Sequence, residues 1–172
     1  YEVQTGSIGE WYATLYEAVK RTNVVIEKLP AVEMDENLKN RYIAEARFIR
    51  ALTYFSMTRA WGDLIKVTAL NPDTDLPRSP ASEIYDEIIF PDLLFAIQNL
   101  PEKSEYASDD LGRATKGAAK AILARVYLHK NDFTNVEKYT LEVINSGEYS
   151  LESNFADVFS EAGEHGLGSI FE

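Results

Sequence analysis

Hydrophobic positions recur at helical spacing along most of this chain. The sharpest stretch is Arg41–Asp63, where Ala44, Phe48, Ala51, Leu52 and Phe55 follow at intervals of four, three, one and three. That spacing lines one face of an α-helix. It predicts a helix from about Glu36 to Trp61, stopped by Gly62 and Asp63. An earlier helix is predicted from about Glu10 to Leu29, with Trp11, Leu15, Ala18, Val19, Thr22, Ile26 and Leu29 on one face and Pro30 ending it. Ser79-Pro80 reads as the start of a third helix, a side-chain cap followed by proline at the first helical position. Its stripe is Tyr85, Ile89, Leu93, Ala96, Ile97 and Leu100. Pro91 lies inside it, removing a backbone donor and crowding the preceding turn, so a kink or restart is expected near Phe90.

Two more helices come after a polar, acidic loop from Glu102 to Gly112. The fourth, about Ala114 to Lys130, carries Gly117, Ala118, Ala119, Ala121 and Ala124, small residues that let a neighbouring helix approach closely. Asp132 is expected to cap the fifth, about Phe133 to Ser146, with Val136, Tyr139, Thr140, Val143 and Ile144 inward and Gly147 as its C-terminal cap. Only Ser169–Phe171 hints at a strand. Long helices joined by loops predict an all-α stack of helix hairpins. The pair around Leu123–Leu128, Asn131-Asp132-Phe133 and Val143-Ile144 is similar to a tetratricopeptide repeat, here degenerate because the loops break the period.

Composition narrows the function. The 172 residues suffice for a single domain with its own core, 1–172, and the abrupt ends at Tyr1 and Glu172 are read as those of a piece of a longer chain. With no cysteine, thiol nucleophiles and thiolate metal sites are excluded within these residues. A net charge of −11 repels phosphate backbones, so nucleic acid is not an expected partner.

Four separated segments resemble one family. They are Trp11-Tyr12 through Asn23; Ala44–Leu52 with Tyr54-Phe55, Trp61-Gly62-Asp63 and Val67-Thr68; Pro77–Pro80 with Glu83-Ile84-Tyr85 and Ile88-Ile89; and Ala114–Ala121 with Leu123–Leu128, ending at Gly147-Glu148-Tyr149. In this order they resemble the SusD/RagB family of outer-membrane nutrient-binding lipoproteins, and they cover nearly the whole chain. Pro91, and Ile65-Lys66 after the Gly-Asp pair, depart from the family's pattern. The resemblance implies the tetratricopeptide-like helical part of a lipid-anchored, cell-surface protein, its anchor outside this chain. Such a protein captures an oligosaccharide or other nutrient and delivers it to a TonB-dependent, SusC-like outer-membrane transporter. The resemblance also implies that it is not an enzyme and uses no cofactor.

Candidate chemistry is sparse. Asp73 with Asp75, and Asp109 with Asp110, are paired carboxylates in loops. A glycosidase needs two carboxylates at a fixed separation, one with a raised pKa, and solvated loops are the plainer reading. Asp73-Thr74-Asp75 opens like a calcium loop but lacks its glycine and distal glutamate. His129 suits a helix C-terminus, and His165, in a glycine-containing tail, lacks a zinc partner. Arg47 and Arg50 are expected to be solvated or paired with acidic residues of a neighbouring helix. Aromatic rings are the residue type that sugar binding calls for, since ring faces stack on the apolar faces of pyranoses. Most belong to helix stripes, and Trp61 reads as a plug at a helix end. The ligand candidates, each set against core packing as the plainer reading, are Trp11, at the head of the first helix and the edge of its apolar face, its neighbour Tyr12, and Tyr106 in a polar loop. The competing reading is a helical-repeat scaffold for a protein partner.

Overall fold

The computed structural model describes residues 6–72 and 75–171. The described residues are all-α apart from one two-residue strand pair, and the chain forms two compact units, residues 1–92 and 93–172. Among the described residues, no helix is long and apolar enough to cross a membrane.

The first unit is built on a helix hairpin. Helix α1 (Gly6–Lys28) runs into a 3-10 turn at Leu29–Ala31, and α2 (Glu36–Trp61) returns alongside it. Asp35 caps α2 by accepting the Leu38 N–H at 2.9 Å. Val19 of α1 and Ala44, Phe48, Ala51, Tyr54, Phe55 and Met57 of α2 are buried, so the hydrophobic face is the core face, although Leu52 lies at its half-buried margin. Gly62 then breaks the helix with φ 71° and ψ −114°, a conformation that favours glycine.

The chain beyond Gly62 was not legible in the periodicity. Strand β1 (Leu64–Ile65) pairs antiparallel with β2 (Arg78–Ser79), a ladder too short to leave a period-two pattern. Asp63 accepts the Ala81 N–H at 2.9 Å and so caps α3 (Ala81–Ile84) from a distant part of the sequence. The Ser79 cap expected from sequence is not made: its hydroxyl donates to Glu83 Oε1 at 3.3 Å instead. Lys66 bridges Glu83 and Glu87, tying the same segment to the start of that helix.

The disturbance expected near Phe90 takes the form of a widened, π-helical turn over Tyr85–Ile89, and α4 (Phe90–Asn99) starts directly after it. The Phe90 N–H bonds Tyr85 O, five residues back. Pro91 supplies no N–H to the usual helical ladder, and the extra residue in the turn gives its ring room.

The second unit holds the other hairpin, α5 (Lys116–His129) and α6 (Phe133–Ile144). Thr115 caps α5 through the Ala118 N–H at 3.0 Å, and Asp132 caps α6 through the Asn135 N–H at 3.1 Å. Asn131, with φ 58°, makes the tight reversal between them. Tyr127 and Tyr139 stack across the hairpin at 5.7 Å, and Lys120 pairs with Glu142 at 3.2 Å. Two expectations need correction. Thr140 and Ile144 are exposed, because Tyr139 and Val143 take the buried face of α6. The close approach at Gly117 is made by the Tyr149 ring, whose hydroxyl lies 2.8 Å from Thr115 Oγ1. Beyond α6 the helical elements among the described residues are 3-10 turns at Phe155–Phe159 and Glu161–Gly163. Ser169–Phe171 is not a strand: among the described residues no second segment pairs with it, and the Ser169 N–H turns back to Gly166 O.

Candidate functional site

Because α1 and α2 run back along one another, the head of α1 lies beside the end of α2. The Trp11 ring rests on Trp61 with centroids 4.5 Å apart and planes tilted by 45°. Tyr12 meets Trp61 edge-on at 5.1 Å, and Tyr16, one turn further along α1, lies 4.8 Å from Tyr12. Distances of this size are those of favourable aromatic pairs. Trp11 is 47% exposed, while Tyr12, Tyr16 and Trp61 are half-buried. An indole with almost half its surface in water, held against a second one, is a small apolar platform at the surface.

A polar network lies beneath it. The Tyr12 hydroxyl donates to the Tyr16 hydroxyl at 3.4 Å, and Tyr16 donates to Ile65 O at 2.9 Å. The Tyr54 hydroxyl accepts the Val67 N–H at 2.8 Å and lies 3.2 Å from Val67 O. Asn23 donates to Val67 O at 3.0 Å and accepts from Arg50 at 2.7 Å. Arg50 closes on Asp92 with two bonds, 2.7 and 2.9 Å, the pair being 8% and 2% exposed, and Arg47 approaches the same carboxylate at 3.8 Å. Of the roles expected for these arginines, it is the ion pair that Arg50 fills, with Asp92 of α4. Burial pushes the Tyr54 phenol up to about 12 and raises Tyr16 as well, so both stay protonated and serve as hydrogen-bond donors. Burial also raises Asp92, against the pull of Arg50 and Arg47.

The structure thus brings two of the three ligand candidates, Trp11 and Tyr12, into one cluster. Tyr106 belongs to the second unit. It is half-buried, its hydroxyl donates to Ala114 O at 2.7 Å, and with Lys103, Arg113 and His165 it borders a small recess. The His165 ring packs over Gly112, where an added Cβ would lie 2.8 Å from Cε1, so this part of the tail is docked. Asp73 lies outside the described residues, and Asp75 is exposed. Asp109 and Asp110 sit on the 3-10 turn Ser108–Asp110, Asp109 accepting from the Ser108 hydroxyl and Asp110 lying 3.6 Å from Arg113. Among the described residues, no three His, Asp or Glu are grouped to hold a metal ion.

Trp61 is the member that sequence reasoning missed. A signal was present: in a helix hairpin, tryptophans near the first residue of one helix and the last of its partner share an end. What the cluster offers chemically is stacking surface and neutral hydroxyls, with its charges sequestered deeper in the ion pair.

Residues 1–128 match the SusD-like family, described as starch-binding and associating with the outer membrane. A SusD-like protein of Bacteroides ovatus is 34% identical over 167 residues, which is 88% of this chain and 30% of that protein. A structure solved with a xylogluco-oligosaccharide superposes with a TM-score of 0.87 at 29% identity, over 99% of this chain and 36% of the other. A laminarin-binding SusD-like protein superposes with a TM-score of 0.86 at 28% identity, over 94% and 36%. The chain spans about a third of the length of the relatives it matches.

Proposed function

The chain belongs to the SusD-like family, and from that membership we propose that it is the helical part of a surface glycan-binding protein that captures oligosaccharide without chemically altering it. In this reading residues 1–172 are one helical domain of a longer, lipid-anchored outer-membrane protein, which hands its ligand to a TonB-dependent transporter.

The observation that carries the reading is the exposed Trp11 indole seated on Trp61 beside Tyr12. A pyranose with equatorial substituents presents flat C–H faces, which bury apolar area against indole, while phenol hydroxyls take the sugar hydroxyls at the edge. The relatives solved with a xylogluco-oligosaccharide and described as laminarin-binding support a polysaccharide-derived ligand class. Tyr106 is the weaker candidate, since its hydroxyl is already committed to Ala114 O.

One observation favours a protein partner as well. Phe133, Leu141 and Ile144 of α6 are exposed, an apolar surface suited to protein contact. A transporter would satisfy both readings; a scaffold with no glycan ligand would satisfy only this one. Calorimetric titration against laminarin and xyloglucan oligosaccharides, with co-purification of the longer protein and its transporter, separates them. Trp11→Ala is expected to weaken glycan binding by about 2 kcal/mol, or about 30-fold, the scale of an aromatic anchor. No binding across the panel and no transporter in the eluate would end the proposal.

A further inference from the structure

We propose that Tyr16 is a positioning residue for the aromatic platform, its hydroxyl closing a circuit of contacts that fixes the angle between Trp11 and Trp61. The circuit starts at Trp61, the last residue of α2. It passes through Gly62, whose backbone has left the helix, and through Asp63 and Leu64 to Ile65. From Ile65 O it crosses to the Tyr16 hydroxyl at 2.9 Å, then to the Tyr12 ring at 4.8 Å, and returns from Tyr12 to Trp61 at 5.1 Å. Trp11 leans on the closed circuit from outside. Within it, the short bond from Tyr16 to Ile65 O is the polar link between the rings of α1 and the segment just after Trp61. The bond from the Tyr12 hydroxyl to Tyr16, at 3.4 Å, is weaker and stays within α1.

Tyr54 holds the same segment in a different way. Its hydroxyl bonds the Val67 backbone at 2.8 and 3.2 Å from a fully buried ring and reaches Ile65 O only at 3.4 Å, so its loss is chiefly a core defect that takes little from the circuit. The two tyrosines therefore make a matched pair for a test, one making the short bond to Ile65 O and one whose short bonds go to Val67 behind it. The effect on ligand rests on the glycan-binding role proposed for the platform; the effect on geometry does not.

Trp11 and Trp61 are the only tryptophans of the chain. Two indoles 4.5 Å apart at 45° couple electronically, so circular dichroism in the indole bands reports their mutual angle. Tyr16→Phe keeps the ring and removes only the hydroxyl. It is expected to reduce the indole couplet by half or more and to weaken xylogluco-oligosaccharide binding by about 3–10-fold, the value of one hydrogen bond. Its thermal midpoint should stay within about 3 °C of the parent. Tyr54→Phe is expected to lower the midpoint further while leaving the couplet intact. A Tyr16→Phe protein with parental couplet and affinity overturns the proposal, as does a couplet that falls in both variants in step with stability. A lost couplet with unchanged affinity overturns its binding half. A parent that binds no oligosaccharide defeats the glycan reading alone, because the couplet still decides the positioning.

Discussion

Replacing Asp92 by alanine should be the most damaging single change in the first unit. Asp92 accepts two bonds from Arg50, at 2.7 and 2.9 Å, and lies 3.8 Å from Arg47, with 2% of its side chain exposed. Arg50 has a third bond, to Asn23 at 2.7 Å, and is itself buried. Removing the carboxylate leaves a positive charge in the core with two donors unmatched. Deleting one partner of such a pair costs about 3–5 kcal/mol, against a total stability of about 5–15 kcal/mol for a typical domain. At about 2–4 °C per kcal/mol for this chain length, the midpoint should fall by roughly 6–20 °C. The double replacement Arg50→Met with Asp92→Leu fills the same space without charge and should recover most of the loss, short of about 1 kcal/mol for the orphaned Asn23 oxygen. Thermal melts and urea titrations of the three proteins measure this. A loss below about 1 kcal/mol for Asp92→Ala would show that the charge of Arg50 finds water or another partner, and would refute the reasoning.

Gly117→Ala should destabilise, although glycine to alanine within a helix ordinarily stabilises by about 1 kcal/mol. The new methyl would overlap the Tyr149 ring, with Cζ 2.8 Å away, and overpacking of this kind costs about 1–3 kcal/mol; pairing it with Tyr149→Ala in a denaturant titration should remove the clash. The pH dependence has a defined sign at Lys66. Its bond holds Glu83 below the ordinary 4.5, so that part of the stability is present above 4.5 and is lost as pH falls through the lowered value. Glu83 and Glu87 hold Lys66 above 10.5, so its part is present below 10.5 and is lost as pH rises through the raised value. Lys66→Met should therefore flatten both limbs of a midpoint-against-pH curve; a variant with parental limbs would show that the bridge contributes nothing.

Local signals carried much of the fold. Helix α2 falls where its stripe and Gly62 place it, Asp132 caps α6, and Pro91 coincides with the widened turn. These features are written within a few residues of one another. The illegible part depends on contacts between distant segments: the two-residue ladder of Leu64–Ile65 with Arg78–Ser79, the cap that Asp63 lends to Ala81, and the pairing of Arg50 with Asp92. The same divide runs through the candidate site. Trp11 and Tyr12 stand out as aromatics at the head of a helix and the edge of its apolar face, where core packing and a ligand contact are both open to them. Trp61 reads as a plug until the hairpin sets it against Trp11. The 4.5 Å contact between those indoles joins positions 50 residues apart, which no local pattern encodes.

Both tryptophans lie in the platform, so their fluorescence is a direct monitor of ligand there. Titrating the chain with laminarin and xyloglucan oligosaccharides while recording tryptophan emission should give a saturable change. In Trp11→Ala both that change and the binding heat should move to about 30-fold higher ligand concentration. Binding heat with unchanged emission would place the ligand elsewhere, and an absence of both would contradict glycan capture by this chain.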